Sequence, residues 1–363
     1  MPPANPQKAP RNRPIADPPT LDDVARAAGV STATVSRCLN APDRVTATTR
    51  DKVLAVVEQL GYAPNFGARA LAAKRTNTIG AIIPTMENAI FARGLQAFQE
   101  ELALNGLTLL VASSSYRPDL EAEQIRTLLA RGADALLLIG FDRPSSVYAM
   151  LERRGVPYAI AWSYRSGSDQ PAIGFDNFAA MSRLAQQVFS LGHRDVAIIS
   201  APQEDNDRAR DRVLAIKAEA AQVGIAADAV QITETPYSVE NGAAAMVGLL
   251  AQPKHPTAVL CGNDVLAVGA IRAIQDAGLK VPDDISVTGF DDIEIARIVT
   301  PGLTTVHVPH REMGKRAAQV IAKRLKGGEA PGNVALETRI VERASLGPVP
   351  PSCRTSSRQG DGP

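Results

Sequence analysis

Three pairs of side chains in this sequence stand where ligand chemistry is usually done. Asp176-Asn177 follows the apolar run Ala172–Phe175, Asn263-Asp264 follows Ala258–Cys261, and Asp291-Asp292 follows Ile285–Phe290. In open α/β sheets ligands bind beyond the carboxyl ends of the strands, so side chains placed there face a common crevice. Carboxylates and amides suit a polyhydroxylated ligand, because each can bond two neighbouring hydroxyls. Trp162, closing the run Tyr158–Trp162, offers an aromatic face to the C–H side of a sugar, and Arg212 begins a helix that can bring it to the same crevice. For Asp264 and Asp292 the plainer alternative is capping of the helix that follows.

A second set of residues suits nucleic acid. In Leu21–Arg37, the residues Leu21, Val24, Ala25 and Ala28 recur at helical spacing, Gly29 takes the turn, and Ser31 caps a second helix with Val35, Cys38 and Leu39 inward. Two short helices around such a turn are the helix-turn-helix plan. Thr32, Ala33, Ser36 and Arg37 then point outward. Small residues let the backbone approach base edges, and Arg37 can fork onto guanine O6 and N7. Ser31, Thr34 and Thr49 are short hydroxyl donors for phosphate. A plain three-helix module with a polar face is the competing reading.

These residues need elements to hold them. A third helix is expected over about Thr46–Leu60, burying Val53, Val56, Val57 and Leu60, and a short fourth segment over Asn65–Ala73 after the break at Pro64. From Thr78 the texture changes. Apolar β-rich runs, among them Ile79–Ile83, Leu107–Ala112, Ala135–Ile139 and Val196–Ser200, alternate with helical patterns such as Ile90–Leu104, Asn177–Leu191, Arg210–Val223 and Arg311–Leu325. That alternation means βαβ units in parallel sheets. The stretch is long for one doubly wound sheet, so two similar lobes are expected.

Composition narrows the function classes. Apolar residues make up 45% and charged residues 21%, as in ordinary globular proteins. No run has the apolar length of a membrane helix, and the Pro-rich stretch Met1–Pro19 has no apolar segment of the kind a secretory signal carries. Cys38, Cys261 and Cys353 lie too far apart for a zinc or disulfide framework. A cytoplasmic chain without metal or cofactor is expected. The first 78 residues carry 11 Lys/Arg against 6 Asp/Glu, and the remainder 28 against 32, so a small basic module precedes a mildly acidic body. No dinucleotide-binding or Walker glycine motif is present, and His193, His255, His307 and His310 show no triad or metal spacing. An enzyme is not expected.

The motifs Thr20-Leu-Asp-Asp-Val-Ala, Gly29-Val-Ser, Thr34-Val-Ser-Arg, Asn40, Val45, Thr49-Arg, Leu60-Gly-Tyr-x-Pro-Asn65 and Ala68-x-x-Leu71 together resemble the LacI/GalR repressors, and the likeness runs from Thr20 to about Leu346. The resemblance implies an all-α helix-turn-helix domain joined to a two-lobed α/β core of the type I periplasmic-binding-protein kind. It implies DNA contacts from Thr20, Leu21, Ser31, Thr32, Ala33, Thr34, Ser36, Arg37, Asn40 and Thr49. It also implies a hinge helix in which Asn65 and Ala68 accompany Leu71, the wedge into the minor groove; such wedges kink pyrimidine–purine steps cheaply. For Leu71, a core position is the alternative. Gly67 departs from the Ala or Val usual in that hinge and costs the isolated helix about 1 kcal/mol, so the hinge is expected to order only on DNA. For the core, the resemblance places Ile90, Phe91, Asp176, Arg212, Tyr237, Asn263 and Asp291 around an effector, with Trp162 beside them. Phe91 is also readable as plain core.

The expected organisation is therefore a disordered basic arm (1–19), the DNA-binding domain (20–64), hinge and linker (65–78), effector core (79–347) and disordered tail (348–363). The expected function is a regulator, most simply a repressor, of carbohydrate genes. It would bind a pseudo-palindromic operator as a homodimer under control of a sugar or sugar-acid effector. The stretch Gly347–Pro363 has no leucine, which argues against the leucine-heptad tetramers of the family. Two alternatives stay open: control by a phosphoprotein or a non-sugar ligand, and a stand-alone sugar-binding protein.

Overall fold

The computed structural model describes residues 18–63, 75–87, 89–226, 228–329 and 332–350. The expected hinge residues Asn65, Ala68 and Leu71 lie outside them, as do most of the arm and tail. The chain forms two compact units, divided between Thr76 and Asn77.

The first unit holds α1 (Leu21–Ala28), α2 (Thr32–Asn40) and α3 (Ala47–Leu60), with a 3-10 turn at Pro42–Arg44 between the last two. A capping box starts α1: the Thr20 hydroxyl accepts from the Asp23 N–H while the Asp23 carboxylate accepts from Thr20. Gly29 ends it in the left-handed conformation at φ +63°, which only glycine adopts at no steric cost. Val24, Ala28, Val35, Cys38 and Val53 are buried together as the core.

The second unit contains two parallel sheets, each with one antiparallel or short edge strand. Lobe 1 has the order β11-β5-β4-β3-β1-β2, from β1 (Thr78–Ile83), β2 (Thr108–Ser113), β3 (Ala135–Ile139), β4 (Tyr158–Ala161), β5 (Ala172–Gly174) and β11 (Asn333–Ala335). Lobe 2 has the order β12-β10-β9-β8-β6-β7, from β6 (Val196–Ser200), β7 (Gln231–Glu234), β8 (Ala258–Cys261), β9 (Ser286–Asp291), β10 (Thr304–His307) and β12 (Arg339–Val341). β1, β3, β4, β6, β8 and β9 are buried along their whole length, as strands covered on both faces must be.

Covering them are α4 (Ala89–Leu104), α5 (Pro118–Ala130) and α6 (Ser145–Arg153), then α7 (Asn177–Ser190), α8 (Asp207–Gln222), α9 (Val239–Leu250) and α10 (Asp264–Asp276). The one-turn α11 (Ile295–Ile298) and α12 (His310–Leu325) complete the set. The chain crosses between lobes three times. It leaves β5 for α7, which packs on lobe 2; it leaves β10 for α12, which packs on α4 and β3–β5 of lobe 1; and it returns from β11 to β12.

Two expectations change. The core continues past residue 347, because the Val349 N–H donates to the Leu191 carbonyl on lobe 2. The short or polar elements α6, α9, α11, β7, β10, β11 and β12 join those read from the sequence.

Candidate functional site

On the first unit, Ser31 caps α2 by accepting from the Thr34 N–H, and its hydroxyl also pairs with that of Thr34. The cap fixes where α2 starts. Val35 and Cys38 point into the core, which turns Ala33 and Arg37 fully outward and leaves Thr32, Thr34 and Ser36 half-exposed. Among the described residues Arg37 forms no ion pair. Asn40 donates to the Ser36 hydroxyl, and Thr46 donates to Thr49. Leu21 is half-buried and packs its side chain against the helical core, as the first apolar residue of α1's buried stripe. Thr20 is exposed, although its side chain already holds the capping box.

In the second unit the lobes meet around Arg212 and Asp291. Arg212 is 4% exposed on α8, and its guanidinium lies 3.7 Å over the Phe290 ring. Its Nε donates to Asn177 Oδ1 at 2.9 Å and its Nη1 to the Gly262 carbonyl at 2.6 Å. Its Nη2 is left 3.9 Å from Asp291 Oδ1. His310, the first residue of α12, has its Nε2 also 3.9 Å from that oxygen. Both Asp291 oxygens and His310 Nε2 are buried without a hydrogen-bond partner. Asp291 sits at φ +107°, outside the left-handed region, while Asp292 at +52° occupies the left-handed region that Asp enters more readily than most residues.

Electrostatics follow from that enclosure. Burial pushes the Asp291 carboxyl up to about 7, against the pull of Arg212 and Arg208. Burial likewise holds His310 neutral, its value brought down to about 3. Asp264 and Asp292, by contrast, are structural. Asp264 accepts from the Ile293 N–H and from Thr305, and Asp292 from Arg343 and His307.

Outside this centre lies a cleft of about 600 Å³, lined from lobe 1 by Thr85, Ser113 and Tyr116 and from lobe 2 by Tyr237 and Ser238. A neighbouring cavity of about 370 Å³ shares both tyrosines and reaches Asn206. The Tyr116 and Tyr237 rings stand 6.2 Å apart across the lobes. Both phenols are raised mainly by burial, and both sense the charges of Arg208, Arg212 and Asp291.

The structure thus brings Arg212, Asp291 and Tyr237 to one place. Asn263 is adjacent and buried, but its Oδ1 caps α10 through the Leu266 N–H. Asp176 does not join: it is exposed and caps α7 through the Ala179 N–H, while the amide bonded to Arg212 belongs to Asn177. Trp162 does not present a stacking face. Its ring is 1% exposed, packed on Phe91 at 5.4 Å, and so tight against Gly94 that a Cβ there would lie 2.4 Å from it. Ile90 and Phe91 are both buried on α4, Phe91 as the partner of that indole. Tyr116 and His310 were not anticipated. Tyr116 follows β2 in a Ser-rich loop, and His310 follows β10, a polar strand that makes no apolar run.

Comparison with known proteins agrees with this architecture. The profile of bacterial regulatory proteins of the lacI family matches residues 20–65, and that of the periplasmic binding protein-like domain matches residues 185–346. The HTH-type transcriptional repressor PurR of Shigella sonnei (strain Ss046) is 32% identical over 335 residues, covering 91% of this chain and 98% of its own. The lac repressor dimer bound to operator and the anti-inducer ONPF superposes with a TM-score of 0.80 at 28% identity, covering 91% of this chain and 99% of the repressor. A complex of the transcriptional regulator CelR with cellobiose gives 0.65 at 28% identity, covering 90% and 99%. A helix-turn-helix on one unit, an enclosed polar centre between two lobes on the other, and likeness along nine-tenths of the chain lead to one conclusion: the chain belongs to the lacI family of bacterial regulatory proteins and is a DNA-binding transcriptional regulator.

Proposed function

We propose that the protein is a cytoplasmic repressor of carbohydrate genes. In this reading it binds a pseudo-palindromic operator as a homodimer and is controlled by a sugar or sugar-acid effector held between the lobes. The observation that carries the reading is the buried Asp291 carboxylate with no hydrogen-bond partner beside Arg212 and His310. A carboxylate left unbonded at such depth is destabilising, and a hydroxylated ligand would relieve it. The cellobiose complex of a relative supports the ligand class.

The mechanism follows from where these groups sit. Arg212 and Asp291 belong to lobe 2, Tyr116 to lobe 1, and Asn177 and His310 to two of the crossing segments. A ligand bonded to all of them favours one relative setting of the lobes. β1 of lobe 1 continues directly from the DNA-binding unit, so that setting is linked to operator affinity, typically by about 1–3 kcal/mol. In the reading unit, Thr32, Ala33, Ser36 and Arg37 would meet base edges, with Ser31, Thr34, Asn40 and Thr49 on or near the phosphates.

Thermal shifts of the full-length protein against pentoses, hexoses, sugar acids, sugar phosphates and nucleosides test this reading. A ligand at about 100 times its Kd adds roughly 2.7 kcal/mol to the folded state. One sugar should raise Tm in the wild type and not in Asp291→Ala, which should still bind operator. A panel in which no sugar shifts Tm overturns the sugar reading.

A further inference from the structure

The Trp162 indole nitrogen, although buried, has a partner: Nε1 donates to His310 Nδ1 at 3.2 Å. An indole N–H can only donate, so Nδ1 of His310 must be the unprotonated nitrogen, and the ring, neutral at this depth, carries its proton on Nε2. That nitrogen has no hydrogen bond of ordinary geometry and stands 3.9 Å from Asp291 Oδ1, with the Asp291 backbone also beside the ring. Arg212 Nη2 approaches the same oxygen at the same distance. Such separations are too long for a direct bond and suit a single bridging oxygen. That oxygen must accept from two N–H donors and bond to the Asp291 carboxyl, whose proton is held to about pH 7. A hydroxyl has one proton and two lone pairs, so it can accept from both N–H donors and either donate to the ionised carboxyl or accept from the protonated one.

We propose that His310 is a specificity-determining residue of the effector site, with Trp162 as its positioning residue: the Nε2–H of His310, Arg212 and Asp291 form a socket for one hydroxyl of a sugar. The inference rests on the effector reading above and goes further by assigning the socket's donors and the group that fills it. Trp162, which offers the ligand no face, acts by choosing which imidazole nitrogen carries the proton. Asn177 fixes it in turn, donating to the Trp162 carbonyl while accepting from Arg212, so the tryptophan and the arginine are set by one amide.

The test has two arms on the full-length protein. Nitrogen-15 spectra of histidine-labelled wild type, without ligand, read the tautomer: the expected result is a neutral His310 protonated on Nε2, and a ring protonated on Nδ1 overturns the assignment. Calorimetry then compares wild type, His310→Phe and His310→Gln with D-glucose, D-galactose, D-ribose, cellobiose and the monodeoxy forms of whichever binds. Operator binding serves as the check of folding. His310→Phe should lose about tenfold in affinity for the parent sugar, the usual effect of removing one donor. His310→Gln, which keeps an N–H near the same place, should recover most of that loss. Against one deoxy sugar, the one lacking the socket hydroxyl, wild type and His310→Phe should bind alike. Equal affinity of wild type and His310→Phe for the parent sugar, or equal loss for every deoxy form, overturns the socket. If no sugar binds the wild type, the sugar reading and the ligand half of this inference both fall, while the spectra still decide the tautomer.

Discussion

Asp291 and His310 form a neutral pair where an ion pair would be the simple expectation, and this has a measurable sign. Asp291 keeps its proton up to about pH 7, whereas its unfolded value is 3.8. The native state binds more protons in that window, so this group alone makes stability fall as pH rises. His310 stays neutral down to about 3 against an unfolded 6.5, so this group alone makes stability rise with pH. Between about pH 4 and 6.5 the two slopes oppose. Asp291→Asn should therefore gain, relative to wild type, a stability that climbs with pH by at most about 1.4 kcal/mol per unit, and His310→Gln should show the reverse. Urea denaturation at a series of pH values reads both, and superimposable profiles would contradict the neutral pair. At the other unit, Arg37→Ala should relax base preference at one position per half-site, at about 1–3 kcal/mol, as measured by operator selection. A uniform loss across sequences would make Arg37 a phosphate contact instead. The sequence made Asp291 and Arg212 legible because they follow recognisable elements. It concealed His310, because the strand before it, Thr304–His307, is polar and makes no apolar run.

Elements explain both what could be read and what could not. Long amphipathic helices and fully buried strands announce themselves by period and by unbroken apolar runs. β7 is a polar edge strand, β11 and β12 have three residues each, and α9 contains Asn241-Gly242, which reads as a turn. Gly242 is there for packing. A Cβ on it would lie 2.3 Å from the Leu266 carbonyl, and one on Gly269 2.0 Å from the Val239 carbonyl, so α9 and α10 cross backbone to backbone. In lobe 1, α4 and α12 do the same through Gly94 and Gly314, where a Gly314 Cβ would lie 1.9 Å from the Gly94 carbonyl. Gly314→Ala should then force the pair apart and destabilise the core by about 1–3 kcal/mol, seen as a lower urea midpoint. An unchanged midpoint would mean that the helices separate freely. Because α12 begins with His310, the same change should also weaken effector binding.

At the scale of the molecule, the lobes are tied at one edge of the cleft as well as through its centre. Asp142 of lobe 1 takes two bonds from Arg210 of lobe 2, at 2.9 and 2.7 Å, and the buried Asp207 accepts from the Phe141 N–H at 2.8 Å. Asp207 is held below the usual carboxylate range: burial opposes this, and Arg208, the Phe141 N–H and Arg165 outweigh it. The Asp142–Arg210 pair is partly exposed, so its contribution is modest. Asp142→Ala should weaken effector binding by about two- to fivefold and, through the linked setting of the lobes, change operator binding without effector by no more than that factor. A calorimetric titration showing no change would rule out this contact as a closure tie.

The three crossings also bear on how the molecule comes into being. Within the second unit strands β1 to β5 are made first, yet the part of the sheet at β3–β5 lacks its α12 cover until His310–Leu325 is made, after almost all of lobe 2. The later lobe is therefore synthesised while the earlier one is still unfinished. A nascent chain stalled before residue 310 would hold an apolar sheet open to water, a state prone to aggregation. The segment that delivers His310 to the effector socket is thus also the last large piece needed to close the first lobe.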